Sequence, residues 1–121
     1  MCDIFVKADP ALYQAKARSL RLHGVVTSIR LEQLFWQVLQ EVAERDGMNT
    51  NQLIAKLHDE LIAYRGQIEN FSSFLRVCCL RYLSLMADGD VPRDKQLPLS
   101  ALHNNQNTQP QIAAKTSAYL L

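Results

Sequence analysis

Polar and apolar residues alternate along two short segments near the start of the chain, residues 19–22 (Ser-Leu-Arg-Leu) and residues 28–31 (Ser-Ile-Arg-Leu). This alternation is the period of a β-strand with one buried face. Gly24 lies between the segments and can adopt the positive φ of a tight turn, and residues 25–27 have high β propensity. The pattern therefore predicts two strands that form a hairpin.

After residue 31 the apolar positions recur every three or four residues, which is the spacing of amphipathic helices. The first helix is expected to end at Gly47, and the Asn-Thr-Asn sequence of residues 49–51 is expected to cap a second helix that fades at Gly66. A third helix is expected after a cap at Asn70 or Ser72. The fold class predicted from this order is α+β and mostly helical.

The chain divides into three parts by composition. Residues 1–17 are expected to be an N-terminal extension, in which residues 11–17 make one or two helical turns. Residues 18–87 hold the strands and helices and form the folded domain. Residues 88–121 contain glycine, prolines and an Asn/Gln-rich stretch, so we expect a flexible tail.

Composition places the 121-residue chain among single-domain globular proteins, because 48% of its residues are hydrophobic and 21% are charged. No apolar run reaches the roughly 18 to 20 residues that a bilayer-spanning helix needs. The N-terminus lacks the pattern of a secretory signal. We therefore expect a cytoplasmic protein without a membrane partner, whose thiols Cys78 and Cys79 are reduced and buried.

Charge is unevenly distributed along the chain, although the formal net charge is only +1. Residues 1–31 carry five basic and two acidic side chains, whereas residues 32–66 carry three basic and six acidic ones. A near-neutral total excludes an indiscriminate polyanion binder. A basic strand region on an acidic helical body nevertheless points to a local site for a polyanion.

No catalytic constellation is found in the sequence. His23, His58 and His103 share no common spacing, the cysteines lack a Cys-x-x-Cys pattern, and no Gly-rich phosphate loop or nucleophile elbow is present. The expectations are therefore no metal site, no cofactor and no enzymatic activity.

The candidate binding residues that the sequence does indicate lie on the second strand. Its pleat places Ile29 and Leu31 on the face that continues into the first helix, so Ser28 and Arg30 point away from the core. Paired with the same strand of a second chain, this segment makes a two-stranded ribbon that fits the DNA major groove, where arginine can bind guanine through two hydrogen bonds. The backbone N–H groups at residues 49–51 suit a DNA phosphate.

The segment TSIRLEQLFWQVLQEVAERDGMNTNQLIAKL, residues 27–57, resembles the ribbon-helix-helix family of DNA-binding proteins, the Arc/MetJ type. It matches a T-x-I-x-L-like strand, an amphipathic helix, a glycine-containing turn, a polar cap and a second helix. The extra N-terminal strand and the third helix resemble a bacterial subgroup of that family. The resemblance implies a homodimer with an intermolecular antiparallel β-ribbon that binds double-stranded DNA and regulates transcription.

The resemblance also assigns candidate site residues by position in the motif. Bases would be contacted by residues on the outer faces of the strands, namely Ser28, Arg30, Arg21 and Ser19. Phosphates would be contacted around the start of the second helix and beside the first strand, namely by Asn49, Thr50, Asn51 and Arg18.

Two departures from the family pattern leave a second function open. About two dozen residues precede the motif strand, and the strand at residues 19–22 would widen a dimer sheet to four strands. The alternative is therefore a protein-interaction or oligomerisation module, or an antitoxin-like protein whose tail at residues 88–121 binds a protein partner. Trp36, beside the apolar stripe, is expected to pack in a dimer interface or against the third helix.

Overall fold

The computed structural model describes residues 2–99. In this part of the chain a short helix and a 3-10 turn lead into a two-stranded antiparallel sheet, which is followed by three helices. The elements are α1 (Cys2–Val6), the 3-10 turn (Pro10–Tyr13), β1 (Ala15–Leu22), β2 (Val25–Glu32), α2 (Gln33–Arg45), α3 (Thr50–Arg65) and α4 (Phe71–Ala87). The α+β, mostly helical class expected from the sequence is confirmed.

The predicted hairpin is present, and both strands are longer than expected. β1 pairs with β2 of the same chain from the Leu22–Val25 pair at the turn to the Ala15–Glu32 pair at the base. The two turn residues both have positive φ, 53° at His23 and 79° at Gly24. Positive φ at both positions is the geometry of a type I′ turn, whose twist matches that of the flanking strands.

The three long helices follow the sequence expectations closely. α2 is followed by Gly47, which has a φ of 70°, and α3 ends at a left-handed C-cap, Gly66. Asn70 caps α4, since its side chain accepts a hydrogen bond from the Ser73 backbone N–H. These boundaries were predictable because capping and the αL conformation depend on local residue type.

The N-terminal segment differs from its expectation. Residues 11–17 were expected to be helical, but the 3-10 turn ends at Tyr13 and strand β1 begins at Ala15. The end of this segment joins the sheet because cross-strand hydrogen bonds and a contact with Trp36 outweigh its weak helix preference. In that contact the Trp36 indole N–H donates to the Lys16 carbonyl at 2.9 Å. The folded domain therefore begins about three residues before residue 18.

One hydrophobic cluster joins the inner face of the sheet to the three helices. The cluster contains Leu20, Leu22, Ile29, Leu31, Trp36, Leu39, Ala43, Leu53, Ile54, Leu75 and Cys79. Because one face of the hairpin is buried against α2, α3 and α4, the opposite face is left to solvent. The core thus determines which strand residues are available to a ligand.

The start of the predicted flexible tail is packed against the domain, contrary to expectation. Val91 is 3% exposed, and Arg45, itself 5% exposed, donates hydrogen bonds to the backbone carbonyls of Asp94 (3.0 Å) and Leu97 (2.9 Å). Composition alone could not predict this, because the buried arginine that binds the segment lies about fifty residues earlier. Residues 100–121 lie outside the described part of the chain.

Glu32 and Arg76 form an ion pair between the end of β2 and α4, with the Arg76 Nη2 atom 2.9 Å from the Glu32 Oε1 atom. The hydrogen bonds from Arg76 hold the pKa of the Glu32 carboxyl below its ordinary value of 4.5. A carboxyl whose pKa is lower in the folded state stabilises the fold above its unfolded pKa, and this contribution is lost as the pH falls through the folded value.

Glu32→Gln is therefore expected to lower the free energy of unfolding at pH 7 by roughly 0.5 kcal/mol, a small effect because both side chains are partly solvated. The difference from the wild type should be smaller at pH 3, because the contribution of the ion pair is lost as the pH falls below 4.5 toward the lowered pKa of the folded-state carboxyl. Urea denaturation at the two pH values measures both quantities. Glu69→Gln changes an exposed glutamate between α3 and α4 and serves as the control. An equal loss at pH 7 and pH 3 would contradict the ion-pair explanation.

Among residues 2–99, no helix is both long enough and apolar enough to cross a membrane.

Candidate nucleic-acid interface

The solvent face of the β1–β2 hairpin presents four of the residues singled out from the sequence. Ser19 and Ser28 lie directly opposite each other, Arg21 lies opposite Val26, and Arg30 lies opposite Ala17. Directly opposed residues of an antiparallel pair share a face, and every residue named here is exposed. The predicted outward orientation of Ser19, Arg21, Ser28 and Arg30 is therefore found, whereas their contact with DNA bases stays a prediction.

The two arginines on this face are separated along the sheet. The pair that contains Arg21 and the pair that contains Arg30 are four positions apart along β1, a distance of roughly 13 Å at the rise of a strand. The small Ser19–Ser28 pair lies between them. Neither arginine forms an ion pair with a described residue, so both guanidinium groups keep their hydrogen-bond donors for a ligand.

Arg18 occupies the other face of β1, where it lies opposite Ile29. Its guanidinium carbon lies 4.6 Å from the centroid of the Trp36 ring, a cation–π arrangement. The Trp36 ring is 1% exposed, and its N–H donates to the Lys16 carbonyl in β1. Trp36 therefore packs against β1 and is buried within one chain, which corrects the expectation that it lies in a dimer interface. The alternative, packing against the third helix, is compatible with its place in the same core cluster as Leu75 and Cys79 of α4.

The start of α3 is a capping box. The Asn49 side chain accepts a hydrogen bond from the Gln52 N–H at 2.8 Å, and the Gln52 side chain accepts one from the Asn49 N–H at 2.9 Å. By helix geometry, the N–H groups of Thr50 and Asn51 have no acceptor within the helix. Thr50 is 8% exposed, whereas Asn51 is exposed, so Asn51 is the more accessible of these two residues.

Arg18 and the start of α3 line one open groove of about 450 Å³. The lining residues are Arg18, Gln40, Glu44, Met48, Asn49, Thr50 and Asn51. All four residues predicted to contact phosphate therefore lie together. An arginine side chain and the positive end of a helix dipole favour an anion in this groove.

Sequence reasoning missed other polar residues near this groove. Gln40 and Glu44 come from α2, where the Gln40 amide donates to the Glu44 carboxylate at 3.0 Å. The negative charge of Glu44 disfavours an anion in the groove. The sequence signal for both residues is their spacing of four, which places them on one face of α2 shortly before the cap of α3. Lys16 precedes Arg18 by two residues and is exposed on the same face of β1. The sequence does not single it out, because residues 1–17 are expected to form an N-terminal extension.

The thiols of α4 are not reactive groups. Burial raises the pKa of Cys78 to about 11 and that of Cys79 to about 12, so neither is a thiolate at neutral pH. Cys79 is 1% exposed in the core, whereas Cys78 is partly buried. The expectation of burial is therefore met by Cys79 and in part by Cys78, whereas their reduced state stays a prediction.

Comparison with known proteins agrees with the geometry. The ribbon-helix-helix domain family matches residues 15–83, more than half of the chain. The chain belongs to the ribbon-helix-helix family. Members of this family generally bind DNA and dimerise. The match begins at the first residue of β1 and ends inside α4, so the hairpin and the third helix are both parts of this domain.

A solved structure with high similarity is that of an uncharacterized protein from Bordetella pertussis Tohama I. It is 55% identical in sequence, the alignment covers 92% of this chain and 90% of that chain, and the TM-score is 0.85. No curated protein matches this chain. The similarity therefore extends over nearly the whole of both chains and supports the fold.

The intermolecular ribbon expected from the family stays a prediction, since the structure describes one chain. Within the described residues the sheet has two strands, β1 and β2, and the second edge of β2 has no neighbouring strand. A partner chain can pair there. Such a dimer would place the two β2 strands at the centre of a four-stranded sheet and the two β1 strands at its flanks.

Proposed function

We propose that this ribbon-helix-helix protein binds double-stranded DNA with sequence selectivity and regulates transcription. The observation that carries the proposal is the solvent face of the hairpin, where Arg21 and Arg30 are exposed and free of ion pairs with described residues. A two-stranded β-ribbon fits the major groove, and arginine is the side chain that most often recognises guanine there.

The dimensions of the sheet suggest different roles for the two arginines. Four strands are about 14 Å wide from the first to the last strand axis, whereas the major groove is about 12 Å wide. The two central β2 strands therefore enter the groove most deeply, and Arg30 lies on them. Arg21 lies on the flanking strand, nearer the groove wall, so it contributes to base contact less directly than Arg30.

The groove beside β1 supplies the phosphate contacts of this proposal. Arg18 offers a cationic side chain, and Thr50 and Asn51 offer backbone N–H groups at the start of α3. Contacts of this kind fix the register of a protein on the duplex and carry no sequence information. The proposed base contacts thus come from the solvent face of the hairpin, whereas the proposed phosphate contacts come from Arg18 on its other face and from the start of α3.

Fluorescence titration of the full chain with labelled duplex DNA at several salt concentrations tests the proposal. Because phosphate contacts release counterions, we expect the logarithm of the association constant to fall with the logarithm of the salt concentration, with a slope of about −3 or steeper. A competing duplex of unrelated sequence should bind more weakly. Absence of binding at about 50 mM salt, or a response independent of salt, would contradict DNA binding.

A second candidate function is assembly with further copies of this chain, and one observation favours it. α4 exposes an apolar stripe at helical spacing, with Val77 59%, Leu80 58% and Leu83 39% exposed. A helix that is apolar on nearly all sides is normally covered. If the titration shows no DNA binding and light scattering shows a tetramer or larger particle, assembly is the better description. The predicted partner-binding tail is residues 88–121, and its part from residue 100 onward lies outside the described residues.

A further inference from the structure

Two histidines and one aspartate meet where the hairpin turn contacts α3. His23, His58 and Asp59 each offer one ligand atom, and these atoms all lie within 4.8 Å of one another. We propose that these three side chains bind a divalent transition-metal ion of the zinc type. Sequence spacing gave no sign of this site, because His23 lies 35 residues before His58 and only the fold brings them together.

The hairpin turn places the His23 side chain against α3. The φ of His23 is 53°, in the left-handed region that histidine, like asparagine and aspartate, adopts more often than most residues. The His23 Nε2 atom contacts the Asp59 carboxylate of α3. The turn therefore brings an imidazole nitrogen to this helix.

His58 contributes a nitrogen atom whose bonding capacity is unused. Its side chain is 19% exposed, and its Nδ1 atom is buried without a hydrogen-bond partner. The edge-on contact with Phe71, 5.2 Å between ring centroids, holds the imidazole in place. The Nδ1 atom lies 4.0 Å from the Asp59 Oδ1 atom, so it is directed toward the cluster. A buried polar atom without a protein partner is rare, and a water molecule or a metal ion can satisfy it.

The donor set determines the class of ion. Two imidazole nitrogens and one carboxylate oxygen are ligands that Zn²⁺ accepts at about 2.0–2.2 Å, and three protein ligands leave a fourth position for water. Magnesium and calcium prefer oxygen ligands. Ligand atoms around a tetrahedral zinc ion are roughly 3.3 Å apart. The His23 and Asp59 side chains, 67% and 53% exposed, have room to rotate to that separation.

An ion at this place would tie the tip of the hairpin to α3. His23 belongs to the turn between β1 and β2, whereas His58 and Asp59 belong to one helix, so the ion joins two elements that are distant in sequence. Binding to the folded chain but not to the unfolded chain raises the melting temperature, and the rise grows with the logarithm of the free Zn²⁺ concentration once that concentration exceeds the dissociation constant. The inference does not depend on DNA binding and is tested without DNA.

Calorimetric titration of the full chain with ZnCl₂, free of any affinity tag and carrying Cys2→Ser to remove the exposed thiol, tests the site. We expect one ion per chain and a rise of several degrees in the melting temperature. His23→Asn keeps a residue that tolerates the turn and removes one ligand, and Asp59→Asn removes the carboxylate. Each should weaken Zn²⁺ binding at least tenfold and abolish the thermal shift.

His103→Asn is the matched control, since it removes the third histidine, which belongs to the part of the chain outside the described residues. It should leave the affinity for Zn²⁺ and the thermal shift unchanged. The site is refuted if the parent chain binds no Zn²⁺ at micromolar concentrations, because the cluster is then only a histidine–aspartate contact. It is equally refuted if His23→Asn and Asp59→Asn bind Zn²⁺ as tightly as the parent chain.

Discussion

Arg30→Ala is expected to lower the affinity for a preferred duplex, selected by the wild-type protein from a random pool, by about 10- to 100-fold. The side chain is exposed on β2, and alanine removes the donors that would bind guanine. Discrimination between the selected and an unrelated duplex should fall by a similar factor. Fluorescence titrations with both duplexes at one salt concentration measure the two effects.

Arg21→Ala and Arg65→Ala complete the experiment. Arg21 lies on the flanking strand, so its removal should weaken both duplexes with a smaller loss of discrimination. Arg65 lies at the last turn of α3, far from the capped start of that helix. Its removal therefore controls for the effect of losing one positive charge outside the proposed interface. Unchanged selectivity in the Arg30 variant, with circular dichroism showing an intact fold, would place base recognition elsewhere on the protein.

Trp36→Ala is expected to lower the free energy of unfolding by about 3–5 kcal/mol. The ring is 1% exposed within the core, and its N–H holds the Lys16 carbonyl of β1. The change leaves a cavity between α2 and the sheet and removes the surface on which Arg18 rests. Since small domains are stable by only about 5–15 kcal/mol, the variant is expected to lose a large share of its stability.

Urea denaturation followed by far-ultraviolet circular dichroism measures this change, because the chain has one tryptophan and the variant loses its fluorescence. Trp36→Phe keeps most of the volume and loses the N–H donor, so about 1–2 kcal/mol is expected. Leu34→Ala alters a 45% exposed residue of the same helix and should cost less than about 1 kcal/mol. A Trp36→Ala variant as stable as Leu34→Ala would refute the anchoring role of Trp36.

The orientation of the candidate base-contacting residues was predictable from the sequence, because successive side chains of a strand point to opposite faces of the sheet. Ser19, Arg21, Ser28 and Arg30 alternate with buried leucine and isoleucine residues, and alternation assigns them to one face. Their register could not be predicted with the same certainty, since it depends on the His23–Gly24 turn. That turn makes Ser19 oppose Ser28 and sets the distance between the two arginines.

Arg18 illustrates where the same reasoning was insufficient. The family resemblance predicts that Arg18 contacts phosphate, and Arg18 does line the groove at the start of α3. The sequence did not indicate that its guanidinium rests on Trp36, because that contact joins β1 to α2 across eighteen residues. Long-range packing of this kind follows from the shapes of the core side chains and not from local periodicity.

The sequence by itself determined the hairpin and the three long helices of this protein, their order and the solvent-facing side of the hairpin, because capping, turn formation and hydrophobic periodicity are local. Tertiary structure alone decided which distant residues meet. It placed Trp36 against β1, folded residues 91–97 onto Arg45, and brought His23 to His58 and Asp59. Such contacts depend on how the helices pack on the sheet, and no residue spacing encodes that arrangement.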